Sequence, residues 1–244
     1  VTFVPSSGQV WVALSSGTSF CDGVPWYDTA ANGPFFNSGE VPLVGDFNGD
    51  GLADIATCTR GTDAVVFVAL STGRSFAKET KWIGSFCPGT AIPKAGDVNG
   101  DGKADIVCFR RDSVSGSTAG DVEVGLSTGA ALALGVPPHW HGFFAPAADV
   151  EPLLADLNGD GSDDILAVTP DGQVFAAVST GLDSFASGAG GTSTADPAWQ
   201  WHADVRNPGE IPLVGHFNRD MNDDLCVCVR DVRSGDDFAA TFVY

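Results

Sequence analysis

The chain has 244 residues, 43% of them hydrophobic, and 31 acidic against 12 basic residues give a formal net charge of −19. That balance excludes nucleic acid and anionic membrane surfaces as partners, and no apolar run reaches the 18 residues of a transmembrane helix. The 31 glycines and 14 prolines point to many turns, and the length suits one all-β domain.

Taken in chain order, the first β-type run is VWVAL, closed by Leu14-Ser15-Ser16-Gly17 and followed by Trp26. Pro42-Leu43-Val44 then leads into Asp46-Phe47-Asn48-Gly49-Asp50-Gly51-Leu52-Ala53-Asp54. Behind it come the run VVFVAL, the turn Leu70-Ser71-Thr72-Gly73 and Trp82. The same order returns twice. DVNGDGKAD at 97–105 precedes Leu126-Ser127-Thr128-Gly129 and Trp140, and DLNGDGSDD at 156–164 precedes Val178-Ser179-Thr180-Gly181 and Trp201. A worn copy, HFNRDMNDD at 216–224, follows Pro212-Leu213-Val214. One unit therefore reads strand, acidic loop, strand, turn, strand, Ser-x-Gly turn, Trp-bearing strand.

Units of about 50 to 60 residues with four short strands and no sustained helical period predict blades of a β-propeller. The stretch VTFVPSSGQVWVALSSG at 1–17 aligns with ILAVTPDGQVFAAVSTG at 165–181, so the chain begins behind where an acidic loop would end. The expected layout is one domain over 1–244, with units near 1–40 (partial), 41–90, 91–148, 149–208 and 209–244 (partial). Five blades follow, with a piece of a larger, for example seven-bladed, ring as the alternative.

In the acidic loops, oxygen-bearing side chains fall at positions 1, 3, 5 and 9, with glycine at position 6. A hard cation takes 6 to 8 oxygens at about 2.3–2.6 Å, and a tight glycine turn wraps a short loop around it. Position 12 carries no glutamate, so the loop differs from an EF-hand and reads as a calcium site in a β-hairpin. Ten of the acids lie in the three intact copies, which makes much of the charge local.

The loops DFNGDGLADIA, DVNGDGKADIV and DLNGDGSDDIL, with VALSTG and KW between them, resemble FG-GAP/VCBS repeats, the calcium-loop propeller repeats of integrin α-chains, fungal lectins and secreted bacterial proteins. The resemblance covers nearly the whole chain. It implies structural Ca2+ at three sites. The ligands it implies are Asp46, Asn48, Asp50, Asp54 and the carbonyl of Leu52; Asp97, Asn99, Asp101, Asp105 and that of Lys103; and Asp156, Asn158, Asp160, Asp164 and that of Ser162. The fourth loop departs from the pattern at His216, Arg219 and Met221 and is expected to lack the ion.

Other candidates weigh less. Gly125-Leu126-Ser127-Thr128-Gly129 fits a hydrolase elbow, yet Ser127 is one of four equivalent turn serines, so no catalytic residue is expected. Six cysteines without zinc-ligand spacing predict up to three disulfides among 15 pairings. With calcium loops and a start at Val1 rather than Met, they point to a secreted protein or a domain of a longer chain. The recurring Trp26, Trp82, Trp140 and Trp201 are read first as packing between blades. As a ligand site they would act with Tyr27, His141, His202 and Asp204, the indoles stacking on sugar rings.

The expectation is thus a secreted, calcium-stabilised, non-catalytic recognition module, foremost a multivalent lectin for glycans. A propeller that binds a cell-surface or secreted protein in adhesion, and the accessory domain of a secreted enzyme, are the alternatives.

Overall fold

The computed structural model of the protein describes residues 1–61, 63–113, 118–186, 199–202, 205, 210–230 and 238–243. Among them the only helix is α1 (Thr29–Asn32), capped by Asp28, whose carboxylate accepts the N–H groups of Ala30 and Ala31. Everything else regular is antiparallel strand, as the sequence predicts.

Five sheets follow in chain order. The first is β1 (Thr2–Val4), β2 (Gln9–Val12) and β3 (Val24–Pro25); the second is β4 (Val41–Gly45), β5 (Asp54–Cys58), β6 (Val66–Ala69) and β7 (Thr80–Ile83). The third is β8 (Ile92–Gly96), β9 (Asp105–Phe109), β10 (Val122–Ser127) and β11 (Leu132–His141). The fourth is β12 (Glu151–Ala155), β13 (Asp164–Val168), β14 (Val174–Ser179) and β15 (Phe185–Ala186), with β16 (Trp199–His202) also paired to β14. The last is β17 (Ile211–Gly215), β18 (Asp224–Arg230) and β19 (Phe238–Val243). Each is an up-and-down meander, the build of a propeller blade.

The second strand of the three full sheets is buried from end to end: DIATC in β5, DIVCF in β9 and DILAV in β13. Covered on both faces, such strands have no reason to alternate, which is why their sequences are continuous apolar runs opened by one aspartate. The pairings Gly45↔Asp54, Gly96↔Asp105 and Ala155↔Asp164 set each acidic loop as the hairpin between the first two strands.

The chain groups into two compact units. The first comprises 1–89, 102–104 and 127–133, with a core of Val10, Tyr27, Phe35, Phe36, Ile55, Ala69 and Phe76. The second comprises 90–101, 105–126 and 134–244. Its larger core gathers Val107, Phe109, Val124, Trp140, Phe144, Ile165 and Phe185, and a smaller one gathers Leu166, Val168, Val174, Val205 and Val227.

The cysteines fall within the expectation of up to three disulfides. Cys87 and Cys108 are disulfide-bonded, while Cys21, Cys58, Cys226 and Cys228 are free. Cys58 lies inside the all-buried strand β5, where desolvation pushes its thiol up to about 12. Cys226 and Cys228 fall on one face of β18, as C-x-C spacing in a strand requires, and both remain thiols. No helix of the described residues is long and apolar enough to cross a membrane.

Candidate functional site

The acidic loops are built on their own backbone. In the first, Asp46 Oδ1 accepts the N–H of Gly49 at 2.8 Å and of Asp50 at 3.1 Å, and its Oδ2 that of Gly51 at 2.7 Å. Asn48 Oδ1 accepts the Asp50 N–H, and Asp50 Oδ1 accepts that of Leu52. The third loop repeats these bonds through Asp156, Asn158 and Asp160. In the second, Asp97 and Asn99 accept their counterparts. The short polar side chains thus fold each loop locally, as Asp and Asn do in turns.

The ninth residue does something the sequence reading missed. Asp54, Asp105 and Asp164 are fully buried. Asp54 accepts the Phe47 N–H at 3.0 Å on one oxygen and the Ser71 N–H at 2.6 Å on the other; Asp164 does the same with Leu157 and Ser179. Asp54 and Asp164 therefore each brace a loop to the Ser-x-Gly turn of the same sheet, and Asp105 accepts the Val98 N–H of its own loop at 3.2 Å. Burial pushes Asp54 above the usual carboxylate range and Asp164 up to about 7, with the nearby acids (Asp50 and Asp46, Asp160 and Asp156) adding to the rise. Burial and Asp223, Asp97 and Asp156 raise Asp163 to about 6.

The donor chemistry of positions 1, 3 and 5 fits a hard cation: oxygen only, with two carboxylates and an amide in one short turn. Yet among the described residues no three His, Cys, Asp or Glu side chains converge closely enough to hold a metal. An ion in these loops would therefore draw on the Asn48, Asn99 and Asn158 amides and on backbone carbonyls as well as on carboxylates.

The turn serines are structural. Ser71, Ser127 and Ser179 each accept the N–H of the glycine two residues on, while Thr72, Thr128 and Thr180 donate to a carbonyl three or four residues on. Ser127 Oγ also donates to the Phe47 carbonyl at 2.5 Å, and Ser179 Oγ to that of Val98 at 2.6 Å. In the G-x-S-x-G run the hydroxyl is committed to holding a loop.

The tryptophans separate. Trp140 and His141 are fully buried, Trp82 is 5% exposed and Tyr27 2%. Trp140 packs on Phe185 with ring centroids 5.5 Å apart, and Trp82 on Phe47 at 6.2 Å. Trp26, half-buried, packs on Phe76, and Tyr27 donates a hydrogen bond to Glu79. The buried Trp82, Trp140, Tyr27 and His141 serve packing and offer no open ring face for a sugar, and Trp26 is partly covered. Trp201 alone of the set is strongly exposed, at 44%, and His202 beside it is exposed too. Asp204 lies outside the described residues.

Trp201 and His202 line a cavity of ≈ 360 Å³ with Asn218, Asp220, Asn222 and Asp224 of the worn loop, over an apolar floor that includes Leu166 and Val174. A second cavity, ≈ 230 Å³, is apolar: Phe143, Phe144, Val150, Ala167 and Phe175 line it. Sequence reasoning missed the phenylalanines, although Phe143 and Ala145 both adopt positive φ, as Ser85 and Cys87 do in the preceding sheet. A repeated x-Phe-x segment after the Trp strand was the available signal.

Residues 46–108 match the FG-GAP-like repeat family model. No curated protein matches the chain in sequence. Among solved structures, an Agrocybe aegerita lectin, determined for its specific recognition of non-reducing terminal N-acetylglucosamine, is similar with a TM-score of 0.59 and 19% identity. The likeness covers 95% of this chain and 59% of that one. A Photorhabdus luminescens Tc holotoxin pore chain is similar with a TM-score of 0.57 and 19% identity, over 88% of this chain and 9% of that one. At such identities the likeness establishes the β-propeller fold.

Proposed function

We propose that this chain, an FG-GAP-repeat β-propeller, is a calcium-stabilised, non-catalytic glycan-binding module that works outside the cell. One observation carries the reading: the half-exposed indole of Trp201 stands at a cavity that the amides of Asn218 and Asn222 and the carboxylates of Asp220, Asp223 and Asp224 line beside apolar side chains such as Leu166, Val174 and Leu225. Sugar recognition needs that pair of features, an aromatic face for the C–H side of a pyranose and planar polar groups for its hydroxyls. Asp220, Asp223 and Asp224 at the same cavity favour neutral or amino sugars over acidic ones, since an added carboxylate would meet like charge. The fold likeness to a lectin supports the reading; the acetylglucosamine specificity belongs to that protein.

Calcium, when bound, supplies positive charge that offsets the crowded loop acids. Asp46, Asn48 and Asp50, with their counterparts at 97–101 and 156–160, would hold it. The disulfide-bonded Cys87 and Cys108 and millimolar calcium both suit an extracellular setting.

A glycan array in calcium tests the function. Binding of neutral or amino sugars, lost in Trp201→Ala at unchanged thermal midpoint, is the expected result. No sugar binding at high protein concentration, or binding untouched by the substitution, overturns it. Capture of a secreted protein without sugar inhibition would favour an adhesion module instead.

A further inference from the structure

The backbone joins one acidic loop to the next by the same bond each time. The Ala104 N–H donates to the Asp46 carbonyl, that of Asp163 to Asp97 and that of Asp223 to Asp156, each at 2.7 Å. The eighth residue of a loop thus gives its N–H to the first residue of the loop before it. The fourth residue of the receiving loop is glycine, and the incoming loop sits against it. A Cβ on Gly49 would lie 3.0 Å from the Lys103 side chain, on Gly100 3.0 Å from Ser162 Oγ, and on Gly159 2.7 Å from Asn222 Oδ1. These glycines have φ of +76°, +71° and +73°, which L side chains adopt only under strain.

The last joint differs in what it connects. Its receiver is the intact loop 156–164, and its giver is the worn loop 216–224, whose residues line the Trp201 cavity. Asp223 makes this joint twice over: its N–H goes to the Asp156 carbonyl, and its Oδ2 accepts the Asp156 N–H at 3.2 Å. Asn222 and Met221 lean on the same neighbour, with atoms 2.7 Å and 3.1 Å from where a Gly159 Cβ would stand. Asn222 and Asp223 are also walls of the cavity. Two residues therefore touch an intact loop on one side and the cavity on the other.

The worn loop has little order of its own to offer that wall. His216 has no carboxylate to gather loop N–H groups, as Asp156 gathers those of Gly159, Asp160 and Gly161. The bonds that remain, from the Asp220 N–H to Asn218 Oδ1 and from the Asn222 N–H to Asp220 Oδ1, are exposed to water. Such bonds give a segment little protection against local opening. The paired tie to Asp156 is what holds Asp223 in place, and Asp156 is the first oxygen donor of its own loop.

We propose that the loop at 156–164 governs the Trp201 cavity: Asp156, fixed when its loop holds calcium, passes that order through the joint to Asp223 and Asn222 and so sets the affinity of the cavity for its ligand. The inference rests on the reading of these loops as calcium sites and of the cavity as a glycan site. Coupling between two sites is reciprocal in binding free energy, so an occupied cavity tightens calcium at one loop of the three.

Amide hydrogen exchange on the whole chain, read at Asp223 and across 217–224 in calcium and in chelator, tests this without a sugar. Calcium should slow exchange there by about 10-fold. The slowing should persist in Asp50→Ala, which removes a donor from the first loop, and vanish in Asp160→Ala, the same change in the third. Titration with glucosamine reads the other direction. The sugar should bind about 10-fold more tightly in calcium and should tighten one calcium site of three by the same factor, with both effects gone in Asp160→Ala. Equal behaviour of the two loop variants, exchange at 217–224 blind to calcium, or glucosamine binding that ignores calcium would each overturn the proposal. A chain that binds no glucosamine counts against the glycan reading, and the exchange result then decides the coupling alone.

Discussion

The loop at 156–164 and the loop at 216–224 have the same length and stand at the same place between the first two strands of their sheets, yet they have become different objects. In the first, Asp156 gathers three loop N–H groups and Asp164 is sealed beneath two more. In the second, His216 offers only its ring nitrogen to the Asn222 carbonyl, and Asp224 braces Phe217 from a half-buried position. Losing the first aspartate and two glycines opened the loop. Phe217 is 52% exposed and Met221 77%, where Phe47 at the second position is fully buried. The opened loop is the one whose amides and acids line the Trp201 cavity. On the function proposed above, decay of the clip and gain of a recognition surface are one change seen from two sides.

The largest effect that would test this contrast is removal of the ion. If three loops bind calcium at ~10⁻⁴ M, then ~10 mM calcium stabilises the fold by about 2.7 kcal/mol per loop, through binding to the folded state alone. Chelation should therefore lower the thermal midpoint by on the order of 20 °C, at about 2–4 °C per kcal/mol. Calorimetry with and without chelator reads it. An unchanged midpoint removes calcium from the account. The count matters too: isothermal titration should find three sites, and a fourth would mean that 216–224 still works as a clip.

Next come the tryptophans, which share a sequence position and not a role. Trp140→Ala should cost about 3–5 kcal/mol, the range for deleting a buried aromatic. Trp201→Ala should stay within about 0.5 kcal/mol while abolishing sugar binding. Chemical denaturation of both variants decides, and equal costs would mean that Trp201 is packed after all.

This pair shows how far the sequence could be read. The blades were legible because strand, acidic loop and Ser-x-Gly turn recur at fixed spacing, and continuous apolar runs such as DIVCF announced strands covered on both sides. The Trp at each unit's end was visible, but burial depends on neighbours supplied by other sheets: Phe185 comes 45 residues after Trp140. The cavity at Trp201 joins residues from three separate stretches, and the apolar one at Phe143 joins the 143–150 segment to Ala167 and Phe175. No local pattern encodes such meetings. Cysteine count gave only an upper bound for the same reason: Cys58 is buried inside a strand and remains a thiol. Within the loops, spacing alone presented the ninth aspartate as one more ligand and could not show that it is also a buried brace, as the two N–H partners of Asp54 and of Asp164 make it.

That brace gives the next test. Asp164→Ala would strand the Leu157 and Ser179 N–H groups, at about 1–3 kcal/mol for each buried donor left unmet. Asp224→Ala uncovers two exposed donors, the Phe217 N–H and the Asn218 amide, which water can satisfy, and should cost about 1 kcal/mol or less. Thermal melts in chelator separate this from any loss of calcium, because the gap between the two variants then reflects hydrogen bonds alone. A gap that vanishes in chelator would return the ninth aspartate to the role of ligand.

The smallest effect probes the fourth position, where the two kinds of loop differ by one side chain. Gly159→Ala puts a Cβ 2.7 Å from Asn222 Oδ1 on a backbone at φ +73°, so both space and conformation oppose it. Rearrangement of Asn222 relieves the first but not the second, which leaves about 1–2 kcal/mol of strain. Arg219→Gly meets neither obstacle, because Arg219 is exposed and its backbone is not left-handed. It adds freedom to the unfolded chain and should destabilise by no more than about 1 kcal/mol. If Gly159→Ala were as mild as Arg219→Gly, the glycine would be a relic of turn chemistry and not the seat of the following loop. The 2.7 Å bonds from the Ala104, Asp163 and Asp223 N–H groups to the Asp46, Asp97 and Asp156 carbonyls would then need another explanation.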